Sequence, residues 1–187
     1  QTPGDSRRWT WVEGLILMVV PLASISMLLW SASFSDPAAN ITVNNLTCVE
    51  RSATGQAIGE ARRIYLPHLS NEPSMGRSLD CRFAVDFSAA EARAAAVLIP
   101  EFAESLQLSV NGRQLAPTEL LNMRRLHYSA VPAYVILPAD SVHAGVNQFK
   151  ITISASPHMS IAVGRIFLGS RAQLEPDFRL RWFAVAV

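Results

Sequence analysis

Leu79-Asp80-Cys81-Arg82-Phe83-Ala84-Val85-Asp86-Phe87 alternates without a break, placing Leu79, Cys81, Phe83, Val85 and Phe87 on one face and Asp80, Arg82, Ala84 and Asp86 on the other. A period of two marks a strand with one face buried and the other in water. The pattern recurs on both sides. Upstream, Ile41 to Val49 reads as a first strand, and Arg63-Ile64-Tyr65-Leu66 as a short one stopped by Pro67. Downstream, Ser88-Ala89-Ala90-Glu91 has the form of a capping box and predicts a brief helical turn, followed by a buried strand at Ala96-Val97-Leu98-Ile99. Ser105 to Val110 alternates again and meets Asn111-Gly112, the dipeptide that most readily takes the two positive φ angles of a tight hairpin. Tyr134 to Leu137, then Val146 to Ile153 with Phe149, Ile151 and Ile153 inward, then Ile161 to Leu168 complete the set, while Ala38 to Asn45 and Asn71 to Ser78 read as exposed linker or loop. Short strands divided by turn residues predict a mainly β protein, an antiparallel two-sheet sandwich.

The residues that carry chemistry are few. Cys48 and Cys81 are the only cysteines, and as an even pair they predict a disulfide tying the first strand to a later one. His68, His127, His143 and His158 are isolated, with no metal-ligand spacing, so neither metal nor cofactor is expected. No phosphate-cradling glycine loop or nucleophile elbow is present, and Asp80 and Asp86 read as solvated rather than as a glycosidase pair. The chain is therefore expected not to be an enzyme. The formal charge of +1 gives no electrostatic case for nucleic acid. Tyr65 and Tyr134 are expected in core or rim packing rather than as platforms for sugar rings. The polar, aromatic stretch Arg124-Arg125-Leu126-His127-Tyr128 is either a solvated loop or the loop that meets an anionic ligand or a partner.

Val12 to Leu29 is apolar but for Glu13 near its start, and at ~1.5 Å rise per residue it covers a hydrocarbon core of ~30 Å. Trp9 and Trp11 before it and Trp30 after it stand where indole rings prefer the headgroup level. A transmembrane helix is expected over 11–33. Ser31-Ala32-Ser33 and Pro37-Ala38-Ala39 have the look of signal-peptide cleavage sites, but the apolar core is long and carries tryptophan on both flanks. Arg7-Arg8 ahead of the span keep residues 1–10 in the cytoplasm and place the domain over 34–176 outside, in the periplasm of a bacterium. Beyond Glu175-Pro176, Trp182 and Phe183-Ala184-Val185-Ala186-Val187 are apolar again, so 177–187 reads as the start of a second membrane segment or as an interfacial or edge-strand tail, with Trp182 a further interface anchor.

Taken in order, Ala96-Val97-Leu98-Ile99-Pro100, Leu106 to Leu115 with its Asn111-Gly112, Val135 to Pro138, Gly145 to Ile153, and Ile166-Phe167-Leu168-Gly169 with Leu174-Glu175-Pro176 resemble the extracytoplasmic sensor domain of bacterial membrane histidine kinases and diguanylate cyclases. The likeness covers roughly the second half of the chain and rests on strand and turn signatures. It implies a galactose-binding-type jelly roll between a first membrane helix and a multi-helix membrane segment, although the cytoplasmic output module is absent here and no ligand-contact pattern is matched. Two functions are then expected in turn: a sensory, ligand-binding domain of a transmembrane signalling protein, taking a small molecule and coupled to its own output domain, or an accessory subunit clamping a larger membrane complex. The lipid bilayer is a partner in both.

Overall fold

The alternating stretches become strands whose apolar faces meet. The computed structural model describes residues 19, 36–37, 39–102, 105–115 and 132–186, the side chains of the last four excepted. In chain order these are β1 (Ile41–Val43), β2 (Asn45–Arg51), β3 (Ala57–Tyr65), β4 (His68–Pro73), β5 (Ser78–Phe87), α1 (Ala89–Ala92), β6 (Ala95–Ile99), β7 (Ser105–Val110), β8 (Arg113–Leu115), β9 (Ala133–Ile136), β10 (Gly145–Ser154), β11 (Ser160–Val163), β12 (Ile166–Ser170) and α2 (Arg171–Ala186). β5 pairs with β10 along its whole length, and the larger sheet runs β3-β2-β5-β10-β7-β8. A four-stranded sheet, β1-β12-β6-β9, packs against it, and β4 and β11 form a separate ribbon. All recorded pairings are antiparallel.

The core lies between the two sheets. Leu79, Cys81, Val85, Phe149, Ile151 and Leu108 of the larger sheet meet Val97, Ile99, Val135, Ile166 and Leu168 of the smaller one. Phe83 and Phe149 stack at 5.0 Å between ring centroids. Cys48 and Cys81 are opposite one another on β2 and β5 and form the expected disulfide, buried in this core. Two local signals read from sequence are realised as such. Asn111 and Gly112 turn β7 into β8 at φ of 49° and 84°, and the Ser88 side chain caps α1 while the Glu91 carboxylate accepts a hydrogen bond from the Ser88 amide at 2.8 Å.

Several boundaries differ from the sequence expectation, and each difference has a non-local cause. The stretch from Ile41 to Val49 is two strands: the chain breaks at Asn44 and passes from the smaller sheet to the larger. The stretch from Ile161 to Leu168 is likewise divided, passing from the β4–β11 ribbon into β12 of the smaller sheet. At Gly164 the amide donates to the Glu101 carbonyl at 2.8 Å, and a Cβ would stand 3.3 Å from Glu101, so the close backbone approach favours glycine. β3 starts well before Arg63, and three of its residues, Gly59 to Ala61, bulge opposite Val49, with Gly59 at φ 75°. Residues 71–73, expected in a loop, belong to β4. Nor does Pro176 end an element: it lies inside α2, which starts at Arg171, so the boundary expected after 176 falls within a helix.

The chain divides into two units, residues 1–36 and 37–187. The expected span over 11–33 and its flanking Trp9, Trp11 and Trp30 lie outside the described residues, Val19 alone excepted. Among the described residues no helix is long and apolar enough to cross a membrane.

The disulfide closes a loop between residues 33 apart in sequence, which in the chain-entropy account corresponds to about 3–4 kcal/mol. Replacing Cys48 and Cys81 together by alanine lowers the unfolding free energy by that order in urea titrations, and reducing agent has no further effect on the double variant.

Candidate functional site

β2 and β5 are paired only as far as Thr47↔Arg82. Beyond that register β2 turns away at Asn44 into β1, which pairs with β12 in the other sheet. The upper half of β5 keeps β10 on one side and, among the described residues, has no strand paired on the other. The result is an open cleft of about 540 Å³ lined by residues 41–45, Thr47 and residues 82–86. Strand alternation brings Asn45, Thr47, Arg82, Ala84 and Asp86 to its outward side, where all five are exposed.

Two further residues flank it by register. Tyr65 is opposite Asn45 and Arg63 is opposite Thr47 across the β2–β3 pair. Tyr65 is 68% exposed, contrary to the expectation of core or rim packing, because β3 is the edge of its sheet and Tyr65 falls on the outward phase. Tyr134 behaves as expected and is buried.

One strand-pair down from the cleft, Asp80 departs from the solvated position expected for it. It faces outward but its side chain is 9% exposed, roofed by its cross-strand neighbours. It accepts hydrogen bonds from Thr152 Oγ1 at 2.7 Å and from Arg51 Nε, and pairs with Lys150 Nζ at 3.1 Å. Burial alone would raise its pKa, but the bonds from Thr152, Arg51 and Lys150 outweigh it and hold the carboxyl below the ordinary aspartate value. Asp86, by contrast, is exposed.

The other side of the smaller sheet carries α2. Ala96, Leu98, Tyr134 and Phe167 point away from the sandwich core and bury Leu174 and Phe178, with Trp182 partly buried behind them. Tyr134 stacks on Phe178 at 5.1 Å, and the Trp182 ring lies tilted against Phe178 at 6.2 Å. Leu174, Phe178 and Trp182 repeat every four residues, one stripe of a helix. α2 is fastened at its start as well. Gln173 donates to the Asn40 side chain at 2.9 Å and accepts from the backbone and hydroxyl of Ser170, while the Arg171 amide bonds the Ala94 carbonyl. On its exposed face Glu175 pairs with Arg171 and Arg179, whose hydrogen bonds hold its carboxyl below the ordinary glutamate value.

Arg124, Arg125, His127 and Tyr128 lie outside the described residues. The sequence did not show these residues as one group, because Arg63, Tyr65, Thr47 and Arg82 become neighbours only once β2, β3 and β5 are in register. The spacing of two within Arg63/Tyr65 and Asn45/Thr47 was the available signal.

No protein-family model and no curated protein matches the chain. Among solved structures it is similar to part of a glycosyl hydrolase family 2 member from Bacteroides cellulosilyticus, at 14% identity and TM-score 0.45 over 68% of this chain and 20% of that one. It is also similar to part of a beta-D-mannosidase from Dictyoglomus thermophilum, at 7% identity and TM-score 0.43 over 60% of this chain and 15% of that one. A third is a beta-glucuronidase from Faecalibacterium prausnitzii, at 11% identity and TM-score 0.42 over 64% and 22%. The chain spans about a fifth of the length of these proteins, and at such identity their activities do not transfer to it.

Two substitutions test this geometry. Asp80→Asn removes a carboxylate held by three donors and lowers stability at neutral pH by about 1–3 kcal/mol. Because the folded pKa is depressed, that contribution is present above the unfolded value and lost as pH falls through the folded one; urea midpoints of wild type and variant therefore converge in acid. The Tyr134 hydroxyl is buried with no hydrogen-bond partner among the described residues, so Tyr134→Phe leaves stability unchanged or raises it by up to about 1 kcal/mol, read as a thermal midpoint that does not fall.

Proposed function

We propose that this chain is a non-catalytic, membrane-anchored ligand-binding sandwich of jelly-roll type, the sensory part of a bacterial transmembrane signalling protein with its main domain in the periplasm. One observation carries the reading. The cleft is walled on one side by β1, β1 pairs with β12, and β12 runs without a break into α2. A ligand in the cleft therefore presses on a strand that is one neighbour away from the helix. The Asn40–Gln173 bond ties the same segment, just ahead of β1, to the first turn of α2. The buried disulfide supports an oxidising compartment. The apolar, tryptophan-flanked run over 11–33 supports the anchor.

In this mechanism Asn45, Thr47 and Arg82 offer polar contacts to the ligand, and α2 is the output. The ligand shifts α2 only by as much as its affinity differs between two positions of the helix. Burial of Leu174 and Phe178, at about 1.5–3 kcal/mol for each fully buried side chain, sets the scale that such a difference must approach.

The second reading, an accessory subunit that clamps a larger membrane complex, is favoured by a different surface. Leu69 and Met75 are each 66% exposed and Met159 is 40% exposed around the β4–β11 ribbon, apolar area of the kind that partners cover.

Ala84→Trp separates the two. Ala84 is exposed in the cleft, so an indole there occupies ligand space without disturbing the core. Amide hydrogen exchange over residues 171–182 of the full chain changes severalfold in the sensory reading. Unchanged exchange in a folded Ala84→Trp protein rejects it.

A further inference from the structure

The outward face of the larger sheet beside the cleft has an unbalanced charge row. By register, Arg63 on β3, Thr47 on β2, Arg82 on β5 and Lys150 on β10 stand side by side across four strands. Neighbouring strands are ~4.8 Å apart, which sets Arg63 and Arg82 roughly 10 Å apart with Thr47 between them. Asp80, two residues along β5 from Arg82, is already taken up by Arg51, Lys150 and Thr152. Arg63 and Arg82 are both exposed, and among the described residues neither has an ion pair or a side-chain hydrogen bond. Two unpaired guanidinium groups thus flank one hydroxyl at the mouth of a cleft. In the next pair of the same register, the exposed Tyr65 ring stands beside the Asn45 amide.

Each part selects a chemistry. A guanidinium pairs best with a planar oxyanion, taking a carboxylate through two parallel N–H donors. Thr47 and Asn45 supply short-range donors and acceptors for hydroxyls. An exposed tyrosine offers a flat apolar face with a polar tip. Asp86, at the far end of the cleft from Arg82, disfavours a second anionic group there. We propose that the cleft takes a sugar acid: a polyhydroxylated ring bearing one carboxylate, the carboxylate held between Arg63 and Arg82, the hydroxyls by Asn45 and Thr47, and the ring face against Tyr65. The inference rests on the ligand-binding reading of the cleft and adds the class of ligand.

The test is isothermal titration calorimetry on the purified full chain at low salt with four probes: D-galacturonate, its trimer, D-galactose and a neutral galactose trimer. The acid binds at least ~10-fold more tightly than its neutral match, about one lost charge-assisted contact on the affinity scale. Arg82→Gln and Arg63→Gln each reduce acid binding ~10-fold and leave neutral binding unchanged, while Tyr65→Ala weakens both. All three residues are exposed and none of the three side chains is hydrogen-bonded among the described residues, so thermal midpoints of the variants stay near wild type, which separates lost binding from lost folding. Binding of the monomer points to a free metabolite and binding of the trimer alone to a polysaccharide; either supports the inference. Equal affinity for acid and neutral probes, no binding of either acid, or acid binding indifferent to both arginine substitutions overturns it. Those results leave the response of α2 to Ala84→Trp untouched, whereas an α2 that ignores Ala84→Trp while galacturonate binds removes the coupling and keeps the ligand class.

Discussion

The smaller sheet is buried on both faces, and the rest of the arrangement depends on that double burial. In β6 the alternation sends Ala95, Val97 and Ile99 into the sandwich core, and Ala96 and Leu98 towards α2, so all five residues are buried. β12 does the same with Ile166 and Leu168 inward and Phe167 outward. A sheet that is apolar on both sides needs cover on both sides. The larger sheet supplies one cover and the Leu174–Phe178–Trp182 stripe the other. Remove α2 and Leu98, Tyr134 and Phe167 would face water; the helix is therefore part of the domain's packing as well as the segment that follows its last strand.

The cleft arises from a related constraint. β2 cannot stay paired with β5 and also lead back to β1, since β1 belongs to the other sheet. The departure at Asn44 leaves half of β5 without a neighbour on that side. Open edges are a hazard for pairing with foreign strands. Here β1 stands across the gap, the exposed residues along β5 include Arg82 and Asp86, and the outermost strand of the sheet, β3, is interrupted by its bulge at Gly59. An unpaired edge thus becomes a polar recess instead of a continuous strand template.

What could be read in the sequence was local. The alternation of Leu79 to Phe87, the Asn111-Gly112 hairpin, the Ser88–Glu91 capping box and the Cys48–Cys81 pair each depend on residues close in sequence or on a single long-range choice. The disulfide in particular had only one partner available for each cysteine. What could not be read was the assignment of strands to sheets. Ile161 to Leu168 looks continuous until the backbone comes close to Glu101 at Gly164, and Ile41 to Val49 until its halves are given different neighbours. Burial of Asp80 depends on Arg51, Thr152 and Lys150 arriving from β2 and β10, and exposure of Tyr65 on β3 being an edge. Pro176 read as a stop because a proline inside a helix costs a backbone hydrogen bond. The stripe of Leu174, Phe178 and Trp182 outweighs that cost, and its spacing was visible in the sequence.

The coupling proposed between cleft and helix depends on how stiffly each link is held. β1 is short, three residues, and is an edge strand, so it is the most easily displaced element of the smaller sheet. β12 beside it is held between β1 and β6 and is buried in four of its five positions. A force on β1 therefore reaches α2 by two routes of different stiffness: through the β1–β12 ladder, and through Asn40 directly to Gln173. The second is a single exposed hydrogen bond at 2.9 Å, worth about 0.5–1.5 kcal/mol in water. The first engages the packed interface of Phe167 with α2, where interdigitated side chains resist gradual deformation. A small displacement of β1 is then absorbed by the Asn40–Gln173 bond, and a larger one has to move Phe167 against Phe178 and Leu174 together. In the sensory reading proposed above, that ordering gives a thresholded helix shift, with the aromatic contacts of Tyr134, Phe178 and Trp182 setting where the threshold lies.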